Sequence, residues 1–378
     1  MADRPARVLF VISSLAGGGA EKLVALLLRH LDRRRFHPRL LLRRDRIDHP
    51  VPQGVEVECA RAPRGVGGAA RFLSRIARGL RTFQPHLVVS HLTFTNLLTA
   101  LARGLQARGV RHVAWVHTGT ERSKRLALHQ RAWMQAQYRM GLRRADRVVC
   151  CSTGVRDDLC ALVGLDRQRV AVIRNPVDAE GVEAAAQWRR EHYRPDPAVL
   201  RLVHLGRFVE AKGHAVLIDA LARLRERREA ELTLIGEGPL RADVAARAEA
   251  AEVAGAVRFA GFLSPPYREL AGHDVFVFPS LWEGFPVALA EAMGLGLAVV
   301  ASDCNHGPRE LIDDGVHGFL VSVGDAAAVA QRVEALGADR ALAERLGAAA
   351  RERVLAELMP GRAARQFERL CEEVLEGV

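Results

Sequence analysis

The chain has 378 residues, 49% hydrophobic and 26% charged. At roughly 150 residues per domain that length suits two domains, or three, and the composition excludes a disordered, collagen-like or mucin-like protein. The net charge of +11 is unevenly spread: residues 1–180 hold 32 Lys and Arg against 14 Asp and Glu, and the rest hold 23 against 30.

A front half this basic is expected to face something anionic: a membrane surface, a phosphate-bearing substrate or nucleic acid. No stretch approaches the roughly 18 consecutive apolar residues of a membrane span. The polar start Met1-Ala2-Asp3-Arg4-Pro5 leads into a strand and does not read as a secretory signal. Six cysteines without a Cys-x-x-Cys form neither a disulfide framework nor a zinc ribbon. A reduced, cytoplasmic protein is expected.

In chain order, residues 7–12 read as the first strand. Gly17-Gly18-Gly19-Ala20-Glu21 then opens a helix that buries Leu23, Val24, Leu26, Leu27 and Leu28. Strands follow at 39–42, 87–90, 113–117, 147–151 and 170–173, with helical patterns between most of them. Such alternation argues for a parallel sheet covered by helices. Arg174-Asn175-Pro176-Val177-Asp178 ends the series as a turn or hinge, because proline disfavours helix in the residue before it. After a helical stretch at 179–192 the pattern restarts, with strands at 202–205, 232–235, 257–259, 275–278, 298–301 and 318–321. A last helix at 362–378 carries Ala364, Phe367, Leu370, Cys371, Val374 and Leu375 on one side.

Two constellations in the second half carry chemistry. Gly206-Arg207-Phe208-Val209-Glu210-Ala211-Lys212-Gly213 directly follows a strand. A strand, a glycine-bearing loop and a helix hold phosphate on backbone N–H groups and the helix N-terminus. Arg207 and Lys212 add two cations, which neutralise a departing diphosphate without a metal. The plain alternative is a solvated loop with incidental charges. Glu283-Gly284-Phe285-Pro286-Val287-Ala288-Leu289-Ala290-Glu291 follows another strand. Proline favours the first turn, so the helix is expected to start near Pro286. Glu283 then lies on the incoming loop and Glu291 in the helix, roughly 10 Å away at 1.5 Å per residue. That is too far for an acid/base pair on one bond, and suits two carboxylates gripping hydroxyls at opposite ends of an extended ligand. The N–H groups from Gly284 to Val287 are expected to point outward toward anionic or polar oxygens. A first-turn acid offsetting the helix dipole, with a solvated second glutamate, is the plain alternative.

The first half offers Gly17-Gly18-Gly19, which is not a dinucleotide fingerprint: Lys22 stands where the third glycine belongs, and Arg43 and Arg44 where an acid would grip ribose. Either a ligand approaches this backbone or the stretch is a simple turn. His117 closes a strand at its C-terminal end, where ligands of open α/β sheets bind; a structural histidine is the alternative. His91 and Asn96 hold a similar, weaker position, and His204 is expected to pack under the loop. Gly236-Glu237-Gly238-Pro239 is a strand-to-helix turn, and Ser302-Asp303-Cys304-Asn305-His306-Gly307-Pro308-Arg309-Glu310 follows a strand end. No histidine or carboxylate spacing suits a metal, and neither a nucleophile elbow nor a G-x-x-x-x-G-K-[ST] loop is present.

Gly18-Gly19-Ala20-Glu21, Asn175-Pro176-Val177-Asp178, Gly206-Arg207 with Lys212-Gly213, Gly236-Glu237-Gly238-Pro239 and Glu283-Gly284-Phe285-Pro286…Glu291 fall in the order seen in GT4-type retaining glycosyltransferases with the GT-B fold. The chain resembles that family over nearly its whole length, in the branch that builds bacterial surface glycans. The resemblance implies two Rossmann-like, doubly wound parallel-sheet α/β domains facing a central cleft. An acceptor-side domain would occupy 1–178 and a nucleotide-sugar domain 179–360, with a helix at 361–378 packing back on the first. Arg207 and Lys212 would bind the diphosphate, Glu283 the hydroxyls of the donor hexose, and Glu291 the ribose. Gly206, Gly238 and the backbone at Gly284, Phe285 and Pro286 would line the donor, with Phe262 and Leu263 bordering the base. From the first domain, Gly18 and Gly19 would approach the phosphate and His117 the donor sugar.

The implied activity is transfer of a hexose or N-acetylhexosamine from a nucleoside-diphosphate sugar, UDP favoured and GDP the runner-up. The acceptor would be a glycan or lipid-linked glycan in cell-surface polysaccharide biosynthesis. No metal or cofactor is implied, since the nucleotide-sugar is a co-substrate. An anionic membrane surface is a candidate partner: Arg33, Arg34, Arg35, Arg43, Arg44, Arg46, Arg71, Arg75, Arg78 and Arg81 would meet head groups on the inner face at about 1 kcal/mol each. Other readings stay open here. A nucleic-acid binder is disfavoured by 5% aromatics with no stacking platform or reading motif. A nucleotide-sugar epimerase or sugar phosphorylase would share the fold, though no pyridoxal-phosphate lysine is identifiable. A non-catalytic relative would not need Arg207, Lys212, Glu283 and Glu291 intact.

Overall fold

The computed structural model describes residues 4–106, 109–119 and 127–377; the polar Met1 to Asp3 lie outside them. The chain divides into two compact units, Met1–Pro176 with Pro360–Val378, and Val177–Met359. Among the described residues no helix is long and apolar enough to cross a membrane.

In the first unit, β1 (Ala6–Ile12), β2 (Phe36–Leu42), β3 (Glu56–Cys59), β4 (Leu87–His91), β5 (Arg111–Val116), β6 (Arg147–Cys150) and β7 (Val170–Val172) form a parallel sheet in the order β3-β2-β1-β4-β5-β6-β7. Its helices include α1 (Gly19–His30), α2 (Val66–Phe83), α3 (Thr93–Gln106), α4 (Leu128–Leu142) and α5 (Thr153–Val163). Successive side chains of a strand point to opposite faces. In β1, Val8, Phe10 and Ile12 therefore enter one core, and Leu9 and Val11 the other. Burial on both faces is why such strands read as unbroken apolar runs.

Two strands depart from the sequence expectation. β3 is an edge strand in which Glu56 and Glu58 alternate with Val57 and Cys59, so it has no apolar run to betray it. β2 starts at Phe36 and includes Pro38. Pairing with β3 begins only at Arg39, so Pro38 has an open flank and its missing N–H breaks no ladder there.

The second unit holds β8 (Leu200–Leu205), β9 (Ala230–Ile235), β10 (Val257–Gly261), β11 (Val275–Phe278), β12 (Ala298–Ser302) and β13 (Phe319–Val321) in the parallel order β10-β9-β8-β11-β12-β13. Its helices are α6 (Ala179–His192), α7 (His214–Arg225), α8 (Arg241–Ala250), α9 (Tyr267–Ala271), α10 (Val287–Gly294), α11 (Pro308–Leu311), α12 (Ala326–Ala338) and α13 (Arg340–Glu357). The chain returns to the first unit with α14 (Pro360–Glu376), whose Ala363, Ala364, Phe367, Leu370, Cys371 and Val374 join the core of Val8, Phe10 and Trp115. This helix begins at Pro360, two residues before the expected start, because proline is preset for a first helical turn. Glu368 pins it by accepting the Asp32 N–H at 2.8 Å.

Each sheet has one point where strand order reverses: β1/β4 in the first unit and β8/β11 in the second. Ligands of open α/β sheets bind at the carboxyl ends of the strands there.

Candidate active site

At the β8/β11 switch point, loops from neighbouring strands are tied backbone to backbone. Gly206 N–H donates to Ile235 O at 3.0 Å, Phe208 N–H to Glu237 O at 3.1 Å and Leu281 N–H to Ala211 O at 2.8 Å. A Cβ at Gly238 would stand 2.5 Å from Phe208 O, so this approach requires glycine.

The loops bring Lys212 and Glu283 together from the two sides of the switch point. Lys212 Nζ lies 2.6 Å from Glu283 Oε1, with side chains 21% and 10% exposed. Nζ also lies 5.4 Å from the Phe278 ring centroid. Arg207, on the same loop, is exposed and makes no ion pair among the described residues. Glu291 is buried in α10, and its Oε1 accepts from Tyr267 Oη at 3.3 Å. Phe285 is buried, Phe262 exposed and Leu263 half-buried.

One expectation needs correction. Pro286 is the cap of α10 and the helix begins at Val287, whose N–H already donates to Phe285 O at 3.0 Å. That donor is used in closing the tight turn and does not point outward.

Beneath the loop lie two histidines, of which sequence reasoning singled out only His204. Its Nδ1 lies 2.9 Å from Val277 O, and its ring meets His214 edge-on at 4.9 Å. His214 stacks on Phe208 at 4.3 Å. Burial, then the Lys212 charge, pushes the His214 pKa down to about 4, and burial, then His214, lowers His204 well below its ordinary value. Both rings are neutral struts. Burial, then the Glu283 charge, pushes the Cys304 thiol up to about 12, so it is not a thiolate. The only sequence signal for His214 was its place directly after Gly213.

At the β1/β4 switch point, Gly18 caps α1 and the Glu21 carboxylate folds back over it. His117 directly follows β5, with Nε2 at 3.1 Å from His91 Nδ1. Both rings stack with Trp115, at centroid distances of 6.0 and 5.3 Å. Burial holds His117 down to about 3 and His91 well below its usual range. The pair is therefore neutral and shares one proton between the facing nitrogens. His117 Nδ1 is buried and has no hydrogen-bond partner among the described residues. Asn96, by contrast, is spent on structure, accepting from Ser90 Oγ at 2.7 Å and donating to Trp115 O at 3.0 Å. Among the described residues no group of three or more His, Cys, Asp or Glu is placed to hold a metal ion.

Two parallel sheets, each with its polar loops gathered at a switch point, and a cation-bearing strand–loop–helix turn in the second, define an α/β enzyme of the two-Rossmann kind. The narrower identity comes from likeness: residues 17–180 match the model of Glycosyltransferase Family 4 and residues 200–339 that of Glycosyl transferases group 1, and the chain belongs to this family of glycosyltransferases. It is 27% identical to the N-acetylgalactosamine-N,N'-diacetylbacillosaminyl-diphospho-undecaprenol 4-alpha-N-acetylgalactosaminyltransferase of Campylobacter jejuni, over 86% of this chain and 88% of that one. It is 34% identical to the lipopolysaccharide core biosynthesis glycosyltransferase LpsE of Rhizobium meliloti, over 52% of this chain and 55% of that one. Among solved structures, HepE of Anabaena in complex with UDP and glucose superimposes with a TM-score of 0.80 at 19% identity, over 97% of this chain and 100% of that one. The fold is GT-B.

Proposed function

We propose that the chain transfers a hexose or N-acetylhexosamine, with retained configuration, from a UDP-sugar to a lipid-linked or other glycan acceptor in cell-surface polysaccharide synthesis. The observation that carries this reading is the Lys212–Glu283 pair across the β8/β11 switch point, with an unpaired Arg207 on the same loop. Relatives support the substrate class: one is named for a diphospho-undecaprenol glycan, another for lipopolysaccharide core, and HepE was solved with UDP and glucose.

In this reading Arg207 and Lys212 neutralise the diphosphate, so no metal is needed. Glu283 exchanges Lys212 for hydroxyls of the donor sugar. Glu291 holds the ribose, Phe262 and Leu263 border the base, and Gly206, Gly238, Gly284 and the Phe285 and Pro286 backbone leave room for the donor. In the first unit, the half-buried Gly18 and Gly19 would approach the phosphate once Glu21 moves aside, and His117 would offer the sugar a neutral hydrogen-bonding group. The acceptor oxygen bonds to the anomeric carbon as the bond to phosphate oxygen breaks. The electron pair leaves on the diphosphate, which takes the acceptor proton on the same face. The first unit would rest on an anionic inner-membrane surface through Arg44, Arg71 and Arg78, which are exposed and make no ion pair among the described residues. Arg34, Arg35, Arg46 and Arg75 are already paired with acids of the protein.

Thermal-shift measurements with UDP, GDP and ADP in the presence of EDTA test the reading. Stabilisation by UDP with the chelator present is the expected result. No shift with any of the three, or a shift abolished by EDTA, overturns it.

A further inference from the structure

Tyr267 opens α9 and lies buried, at 3% exposure, although no part of the transfer chemistry uses it. Its hydroxyl donates to Glu291 Oε1 at 3.3 Å and has a second carboxylate, Asp178, within reach. Asp178 is itself fixed: it caps α6, and its Oδ1 accepts the Gly181 N–H at 3.3 Å. The ring has a dedicated seat, since a Cβ on Gly181 would stand 2.4 Å from Tyr267 Cε2. Burial and then the two carboxylate charges hold the phenol in its protonated form.

A phenol has one proton to give, and here it goes to Glu291 while Asp178 is held by the Gly181 N–H. A buried carboxylate needs donors around it to remain charged, and those donors fix its plane. We propose that Tyr267 is a positioning residue for ribose recognition: seated against Gly181 and giving its one proton to Glu291, it sets the Glu291 carboxylate in the orientation that accepts the sugar hydroxyls of the nucleotide. This rests on the reading that Glu291 holds the ribose. Specificity for ribose over deoxyribose then depends on a tyrosine that need not touch the ligand.

The test is calorimetric binding of UDP, with GDP and ADP in parallel, and of their 2′-deoxy and 3′-deoxy counterparts, to the wild type and to Tyr267→Phe. The variant keeps the ring in its seat and removes only the hydroxyl. The expected result is a wild-type preference for the ribose form that shrinks on the order of fivefold in the variant, the scale of losing one hydrogen bond to a charged group. A loosened fold would weaken ribose and deoxyribose forms alike and lower the melting temperature; equal weakening with the preference intact overturns the proposal while leaving the Glu291 reading standing. A wild type that binds UDP but ignores both ribose hydroxyls overturns the Glu291 reading, and this proposal with it.

Discussion

The two switch points occupy the same place in their sheets but are furnished in opposite ways. At β8/β11 a cation and a carboxylate meet at 2.6 Å, on loops held close by glycines. At β1/β4 the central feature is a stacked column of His91, Trp115 and His117, all kept neutral. Yet the chain's whole basic excess lies in the first unit, the second being net acidic. In the proposed function the position of charge, not its sum, would mark the site that handles a leaving anion, and the arginines of the first unit would be left for the membrane surface.

The sharpest way to break this contrast is to remove charge from the second switch point. Arg207→Ala combined with Lys212→Ala is expected to lower turnover by on the order of a thousandfold, because a diphosphate leaves poorly without compensation. Steady-state rates on a UDP-sugar decide it, and near-wild-type turnover would reduce the loop to scaffolding. Next in size, Glu283→Gln should lower kcat roughly a hundredfold, the cost of a lost charged hydrogen bond and a misplaced Lys212, while UDP affinity by calorimetry stays close to wild type. If affinity falls and kcat holds, Glu283 acts on the nucleotide and not on the sugar.

Acid probes the buried neutral histidines of both units, among them His112 in β5. His112 and His117 are held at about 3 and His214 at about 4 in the folded chain, against 6.5 for a free histidine. Their contribution is complete above pH 6.5 and is lost as pH falls toward those values, at about 1.4 kcal/mol per pH unit for each ring. Melting temperatures should therefore be flat above about pH 6.5 and fall steeply by about pH 5. A midpoint that stays flat through that window would show that the rings are charged when folded. The smallest effect is expected from Arg71→Glu with Arg78→Glu. Partitioning onto anionic liposomes should drop roughly thirtyfold, at about 1 kcal/mol for each of the two lost contacts, with soluble-acceptor kinetics unchanged. Equal recovery on neutral and anionic liposomes would remove the membrane from the account.

What the sequence displays is local. Apolar runs such as those of β4 and β11 exist because a parallel strand is covered on both faces, and that need is written residue by residue. The Lys212–Glu283 contact is not, since the two residues are 71 positions apart and meet only because the chain reverses strand order between them. His214 and Tyr267 escaped for the same reason: each matters through a neighbour supplied by another element. β3 escaped because an edge strand with alternating acids has no continuous core to bury.

The first unit is built from both ends of the chain, with Phe367 of α14 lying 5.8 and 5.7 Å from the rings of Phe10 and Trp115. The second unit is one uninterrupted stretch. On the ribosome, then, order of synthesis and order of completion differ. The unit that emerges first waits, one wall of its apolar interior uncovered, until the helix beginning at Pro360 arrives, whereas the unit made later can close as soon as Met359 is out. A nascent chain stalled anywhere before α14 would offer chaperones the face made by Val8, Phe10 and Trp115.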